Sequence, residues 1–289
     1  MEKKGIIYLV RKRALGDVLW IEPIINELSN RYKKVVVISR FNDLFLYYPV
    51  PNVVFKADLS LFEKLAYHLE RILGVSLFFI NLELSYEKKP KLHLLHAYQT
   101  IAQLPIKEVY PNLFLSDKEK IADRELGKYV VLHIVSFTTK NYRKVFGIDW
   151  DEVVSFFNQK GYKVVVVGDD NNALTNTITF NKSIRQLISL IYNCSLFVGI
   201  DSGPSHIATS LKKPAIIFFG AVNPQYRHFT NLLDKTIIMQ SPCEFAGCYH
   251  EVTNSIYGQT CKLVGDEGVP KCSVHTTESL ITNINKILS

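Results

Sequence analysis

Short, almost unbroken apolar runs recur along this chain, and segments of helical periodicity lie between them. Ile6–Val10, Val35–Ser39 and Leu77–Asn81 are such runs. Val18–Leu28 is amphipathic, and Leu59–Leu73 carries apolar residues at helical spacing. A strand that is apolar throughout must be covered on both faces, and strand alternating with helix signals a parallel α/β sheet. The pattern pauses over Ser116–Lys128, where charged and turn-forming residues read as a linker with its own short helix. It then restarts, with strands at Tyr129–Val135, Val164–Val167, Leu196–Ile200 and Ala215–Phe219. Helices are expected at Trp150–Gln159, Ser183–Tyr192 and Ser205–Leu211. Two such series predict two Rossmann-like domains facing a cleft, residues 1–118 and 128–275. A last amphipathic helix, within 276–289, is expected to pack back across the first domain.

With 47% hydrophobic and 21% charged residues over 289 positions, the chain falls in the globular class and outside the disordered one. Its formal net charge of +7 favours anionic partners, whether phosphate, nucleic acid or acidic lipid. The opening "MEKKGIIYLVRKRALGDV" holds an apolar run too short for a secretory leader. No stretch reaches the roughly 18 apolar residues that cross a bilayer. The expectation is a cytoplasmic protein with reduced thiols, which leaves room for peripheral membrane contact.

In open α/β sheets, ligands bind beyond the carboxyl ends of strands. Three turns of that kind stand out. In "LFVGIDSGPSHIATS" a buried strand breaks at Asp201-Ser202-Gly203 and a helix follows at once. Free N–H groups and the positive dipole end there suit an anion, Gly203 permits close approach, and Ser202 and Ser205 add hydroxyls. Asp201 would organise the loop or accept a hydrogen bond from a sugar hydroxyl. The plainer alternative is a helix cap at Asp201 or Ser205, with His206 a satisfied half-buried side chain. In "ALGDV", Asp17 is either a cap or a carboxylate able to take a proton from a hydroxyl, with Arg11, Lys12 and Arg13 favouring its charge. In "TTKNYRKVFGIDW", Lys140, Arg143 and Lys144 form either a solvated basic loop or a partner for a leaving diphosphate.

Taken in order, "ALGDVLWIEPI", the basic loop ahead of W-x-E-V, and "VGIDSGPSHIATSLKKPAIIFFG" resemble the heptosyltransferase family, the ninth family of glycosyltransferases. The resemblance spans most of residues 6–220. It implies two Rossmann-like domains in the GT-B arrangement. It also implies inverting transfer of a sugar, heptose from ADP-heptose, without a catalytic divalent metal. On that footing Asp17 is the general base on an acceptor hydroxyl. The donor-binding set is Gly16, Lys140, Arg143, Gly168, Asp201, Ser202, Gly203 and His206. "YEKKPKLH" adds Glu87 and His93 as cleft-lining residues. The acceptor could be a glycan, a lipopolysaccharide or a protein hydroxyl. A nucleotide-sugar epimerase on a similar fold and a non-catalytic, metal-stapled nucleotide- or nucleic-acid-binding protein are the rival readings. A nucleic-acid partner is not expected, because the cysteine-rich loop lacks a basic-aromatic run.

That loop, 241–273, carries Cys243, Cys248, Cys261 and Cys272, separated by four, twelve and ten residues. In a reducing compartment, four cysteines in a turn-rich segment suggest one tetrahedral thiolate site holding a structural metal, iron or zinc. Independent buried thiols, or two disulfides in an oxidising compartment, are the alternatives. The sequence resembles the autotransporter heptosyltransferase branch, whose members carry cysteine-bound iron in this part of the chain. Cys194, among apolar residues, reads as simply buried.

Overall fold

The computed structural model describes residues 3–121, 125–135, 143–168, 174–250, 261–265 and 268–289. The chain divides into two compact units, Met1–Phe114 and Leu115–Ser289.

The first unit runs β1 (Lys4–Val10), α1 (Leu15–Leu19), α2 (Glu22–Arg31), β2 (Tyr32–Ile38), β3 (Val53–Lys56), α3 (Leu61–Leu73), β4 (Phe79–Asn81) and α4 (Leu94–Ile101). Its four strands are parallel, in the order β3-β2-β1-β4. Val35, Val36, Val37 and Ile38 are all buried, which explains why that run is apolar without alternation. Helix α3 begins in a capping box, Ser60 with Glu63, and stops at left-handed Gly74. Its contacts with the sheet are unusual. Tyr8 donates to Glu63, Tyr67 packs edge-on to Phe79, and buried Glu70 accepts from the N–H groups of Leu77, Phe78 and Phe79.

The second unit runs α5 (Asp117–Lys120), β5 (Tyr129–His133), α6 (Trp150–Gln159), β6 (Lys163–Val167), β7 (Ile178–Phe180), α7 (Ile184–Asn193), β8 (Leu196–Ile200), α8 (Gly203–Ser210), β9 (Ala215–Phe218), β10 (Thr236–Met239) and α9 (Thr277–Leu288). Six parallel strands lie in the order β10-β9-β8-β5-β6-β7, the arrangement of a Rossmann sheet. Val130, Leu132, Phe157, Val198 and Ile216 form its core with Leu280 and Ile284 of α9.

Two expectations change. The last helix was expected on the first unit, but α9 buries its apolar stripe in the core of the second and packs on α6. The segment read as a linker is tied down at α5. Arg185 grips the Glu119 carboxylate through two nitrogens, at 2.8 and 2.7 Å, while Ser189 and Asn193 donate to the Glu119 carbonyl. The described boundary accordingly falls at 114/115.

Strand order reverses between β1 and β4 in the first sheet, and between β5 and β8 in the second. Loops leaving the carboxyl ends of such neighbours diverge, and the gap they leave is where ligands bind.

Candidate active site

At the first reversal, β1 hands over to Arg11, which is 3% exposed. Its guanidinium pairs with the Asp17 carboxylate, lies 3.6 Å from Glu83 and 3.9 Å from Glu87, and donates to the Leu82 carbonyl at 3.4 Å. The rings of Tyr86 and Tyr98 lie 5.7 and 5.9 Å from it. Tyr86 donates its hydroxyl to Asp17 Oδ2 at 3.3 Å, and Tyr98 donates to the Asp17 backbone carbonyl at 3.3 Å. Ala14 takes a φ of 62°, a conformation unusual for a residue with a Cβ. The bend it makes starts α1 with Asp17 in the first turn and buried Gly16 beside it.

Burial opposes the charge on Arg11, but Tyr98 and Asp17, with Tyr86 and Glu87, outweigh it and hold the cation firmly. Burial also pushes the Glu87 carboxyl up, with Arg11 pulling it back and Asp17 adding to the rise. Glu87 Oε2 is buried and has no hydrogen-bond partner among the described residues. Of the three basic neighbours read from the sequence, Arg11 is the one paired with Asp17. Lys12 turns to Asp58 at 2.6 Å, and Arg13 is exposed. Glu87 joins the cluster, whereas His93 is buried as the cap of α4, its Nδ1 accepting from Leu95 N–H at 3.1 Å.

At the second reversal, β8 leads through Asp201 and Ser202 into α8. The Asp201 N–H bonds to the Phe218 carbonyl at 3.0 Å, which fixes the turn to β9. Ser202 donates its hydroxyl to the Ile200 carbonyl at 3.1 Å, and Ser205 donates to the Ser202 carbonyl at 2.7 Å. Both hydroxyl protons are therefore used within the turn, and what it offers an anion is the backbone N–H set of the first helical turn around Gly203.

Asp201, His206 and His228 are buried, and each can supply one ligand atom within 4.8 Å of the other two. Asp201 lies 3.8 Å from His206, whose ring stacks on that of His228 at 4.6 Å.

Gly168 closes β6 with a φ of +137°; a Cβ there would stand 3.1 Å from the Val135 carbonyl and 3.7 Å from His133 Nδ1. His133, absent from the sequence-derived set, ends β5 nearly buried. A carbonyl only accepts, so Nδ1 carries the proton that reaches Val167 O at 2.8 Å. Burial lowers the ring's pKa, leaving Nε2 a neutral acceptor with no partner among the described residues. The visible signal was one polar residue closing an otherwise apolar strand. Arg143 is half-buried, and Lys144 beside it is exposed. Lys140 lies outside the described residues.

Cys248, Cys261 and Cys272 are buried and Cys243 is half-buried, all as free thiols. Burial pushes the Cys272 thiol up to about 11, with Cys243, Cys248 and Cys261 each adding to the rise, so these three lie within electrostatic reach of Cys272. Among the described residues they do not form a cluster as tight as Asp201, His206 and His228. Cys194 lies apart, its thiol pushed up to about 12 by burial. The loop is anchored at its exit: Phe146 N–H bonds to Ser273 O at 3.0 Å, and His275 N–H bonds to Phe146 O at 2.9 Å. Phe146 is three residues beyond Arg143.

The parallel α/β sheets match the GT-B-like fold of solved heptosyltransferases. The crystal structure of the iron-containing dodecameric glycosyltransferase TibC from enterotoxigenic E. coli H10407 superimposes with a TM-score of 0.75 at 17% identity, covering 99% of this chain and 77% of that one. TibC, there described as a heptosyltransferase, in complex with ADP-D-beta-D-heptose gives 0.72 at 17% identity, covering 99% and 78%. The autotransporter heptosyltransferase Aah of Escherichia coli is 24% identical over 204 residues, which are 62% of this chain. That match covers 50% of Aah, so the chain spans about half the length of this curated relative. Residues 87–253, more than half of the chain, match the model of glycosyltransferase family 9 (heptosyltransferase). The chain belongs to that family.

Proposed function

We propose that this chain is an inverting glycosyltransferase that moves heptose from ADP-heptose to an acceptor hydroxyl, with Asp17 as general base. The observation that carries the reading is the Asp17 carboxylate held at the first strand reversal by buried Arg11 and the Tyr86 hydroxyl. Family membership supports the reaction class. The bound sugar nucleotide in the TibC complex supports the donor. The name of the Aah relative makes a protein hydroxyl the first acceptor to try.

In this reading the acceptor O–H gives its proton to Asp17 as its oxygen attacks the anomeric carbon from the face opposite the diphosphate. The carbon–oxygen bond to ADP breaks, and the configuration inverts. Arg143, with Lys140 and the amides at the start of α8, takes up the charge that grows on the leaving diphosphate. Asp201 holds the turn, and His206 lines it. These groups match the metal-independent chemistry that the family resemblance implies.

Cys243, Cys248, Cys261 and Cys272 would hold one structural ion, iron as in TibC or zinc. Four sulfurs complete a tetrahedral shell and leave no open position, so the ion stiffens the loop and takes no part in transfer.

The test is Asp17→Asn. General-base loss predicts a fall in kcat of at least about 10²-fold. The KM for ADP-heptose should stay within about twofold, since Asp17 binds no part of the donor in this reading. Near-normal turnover by that variant removes Asp17 as the base, and a product that retains the donor's anomeric configuration rejects inversion.

A further inference from the structure

Helix α3 stands the wrong way round for a helix lying on a sheet. The side chains it turns to the sheet are Glu63, Tyr67 and Glu70, while its large apolar residues face outward. Phe62 and Ile72 are each 82% exposed and Leu65 is 71% exposed, with Leu61, Leu69 and Leu73 beside them. At 3.6 residues per turn these occupy one continuous arc of about 120°. Phe78, in the segment after the helix, is exposed as well. A soluble monomer rarely shows contiguous apolar patches beyond a few hundred square ångströms, and larger ones mark a surface that something covers.

Charge indicates what covers it. Lys64, His68 and Arg71, at spacings of four and three, form a stripe along one edge of the apolar arc, and all three are exposed; Lys64 shares the single carboxylate of Asp58 with Lys12, at 2.8 and 2.6 Å, so the edge keeps a net positive charge. The acids of the helix are engaged inward, Glu63 with Lys56 and Tyr8, and Glu70 with backbone N–H groups. The opposite edge carries Leu73 and Ala66. Pairing with the α3 of a second copy meets this pattern poorly. In an antiparallel pair about a two-fold axis, the basic edge faces itself; in a parallel pair, it faces the apolar edge. Neither gives it a counter-charge. An anionic lipid surface satisfies both halves, with apolar side chains among the acyl chains and cations at the headgroups. The helix has 13 residues, and no helix among the described residues is long or apolar enough to cross a membrane, so α3 would lie in the interface plane.

We propose that α3 is a membrane-surface anchor that seats the first unit on anionic lipid. The proposal stands on this surface alone and holds whatever the first unit catalyses.

Flotation of the full chain with vesicles tests it. Vesicles of phosphatidylglycerol in phosphatidylethanolamine should carry the protein, and vesicles of phosphatidylcholine alone should carry at least about fivefold less, as expected for a basic flank at an anionic surface. High salt should lower the first value toward the second. Leu65→Gln with Ile72→Gln, two exposed positions whose change leaves the core intact, should cut binding by about tenfold or more. Arg71→Gln should reduce only the anionic-vesicle component. Equal recovery on both vesicle types, or unchanged binding by the double variant, overturns the proposal. So does wild-type protein that ignores vesicles but self-associates through these same leucines in light scattering.

Discussion

Glu22, at the start of α2, is a carboxyl taken almost wholly out of water, at 2% exposed. It accepts from Asn112 N–H at 2.9 Å and from the Tyr48 hydroxyl at 3.4 Å, and so ties the end of the first unit to α2. Burial pushes its pKa up to about 7, against the pull of those two bonds. The unfolded chain releases this proton at a lower pH, so between the two values the folded state binds a proton that the unfolded state does not. The stability Glu22 contributes is therefore full under acid conditions below its unfolded pKa and is lost as pH rises through about 7. The loss is on the order of 3 kcal/mol. Urea unfolding at about pH 5 and about pH 8 should show that loss in the wild type and a much smaller one in Glu22→Gln. Equal slopes in the two proteins would show that the carboxyl stays ionised on folding. Arg11 is the opposite case: it too is buried, but its anionic and aromatic neighbours keep it charged, so removing it strands the carboxylates around it.

Among the elements, β8 shows how closely the second reversal is built. Gly199 pairs with His133 across the β5–β8 ladder. A Cβ there would stand 2.8 Å from the His133 carbonyl and 2.8 Å from the Phe197 ring. The carbonyl belongs to a central strand and cannot retreat, so Gly199→Ala should destabilise the second unit by about 1–3 kcal/mol. If the Asp201 turn binds the donor as proposed, the same change should also weaken ADP binding, because β8 leads directly into that turn. Calorimetric melting with and without ADP measures both, and an unchanged melting profile would mean that the sheet adjusts freely. Strands such as β5 and β8 were legible in the sequence because both of their faces are covered. The shorter β3, β7 and β10 were not, because they are edge strands with half-exposed side chains. Helix α3 was legible as a helix but not in its facing: periodicity reports a stripe, and only packing reports which side the sheet takes. Asp17 and the Asp201 turn could be read from local spacing. The partners Glu83, Tyr86 and Tyr98 reach Asp17 and Arg11 from about 70 to 80 residues away, which no local pattern carries. Arg11 was read with Lys12 and Arg13 as a neighbour of Asp17, but nothing local shows that it alone of the triplet is buried.

At the scale of the whole molecule, the cysteine loop is where chemistry far from the strand reversals can still reach them. Its exit is hydrogen-bonded through Ser273 and His275 to Phe146, just past Arg143, so an ion that fixes the loop also limits where Arg143 can stand. A zinc or iron ion held by these thiolates would bind the folded chain more tightly than the unfolded one, so its affinity would add to stability. Cys248→Ser and Cys272→Ser should each reduce metal from about one ion per chain to a small fraction, as for any four-sulfur shell that loses a ligand. Each should also lower the thermal midpoint by several degrees. The kcat should fall with a smaller change in the KM for ADP-heptose, since a displaced Arg143 no longer meets the charge that develops as the diphosphate leaves. Cys194→Ser is the control, because that thiol is buried apart from the loop and donates to the Ile191 carbonyl. It should leave metal content unchanged, and elemental analysis of the purified variants reads the comparison. Metal that persists in both loop variants and disappears in His228→Ala would move the ion to the Asp201, His206 and His228 cluster. The cysteines would then be free thiols, and the ion would sit at the turn that leads into α8.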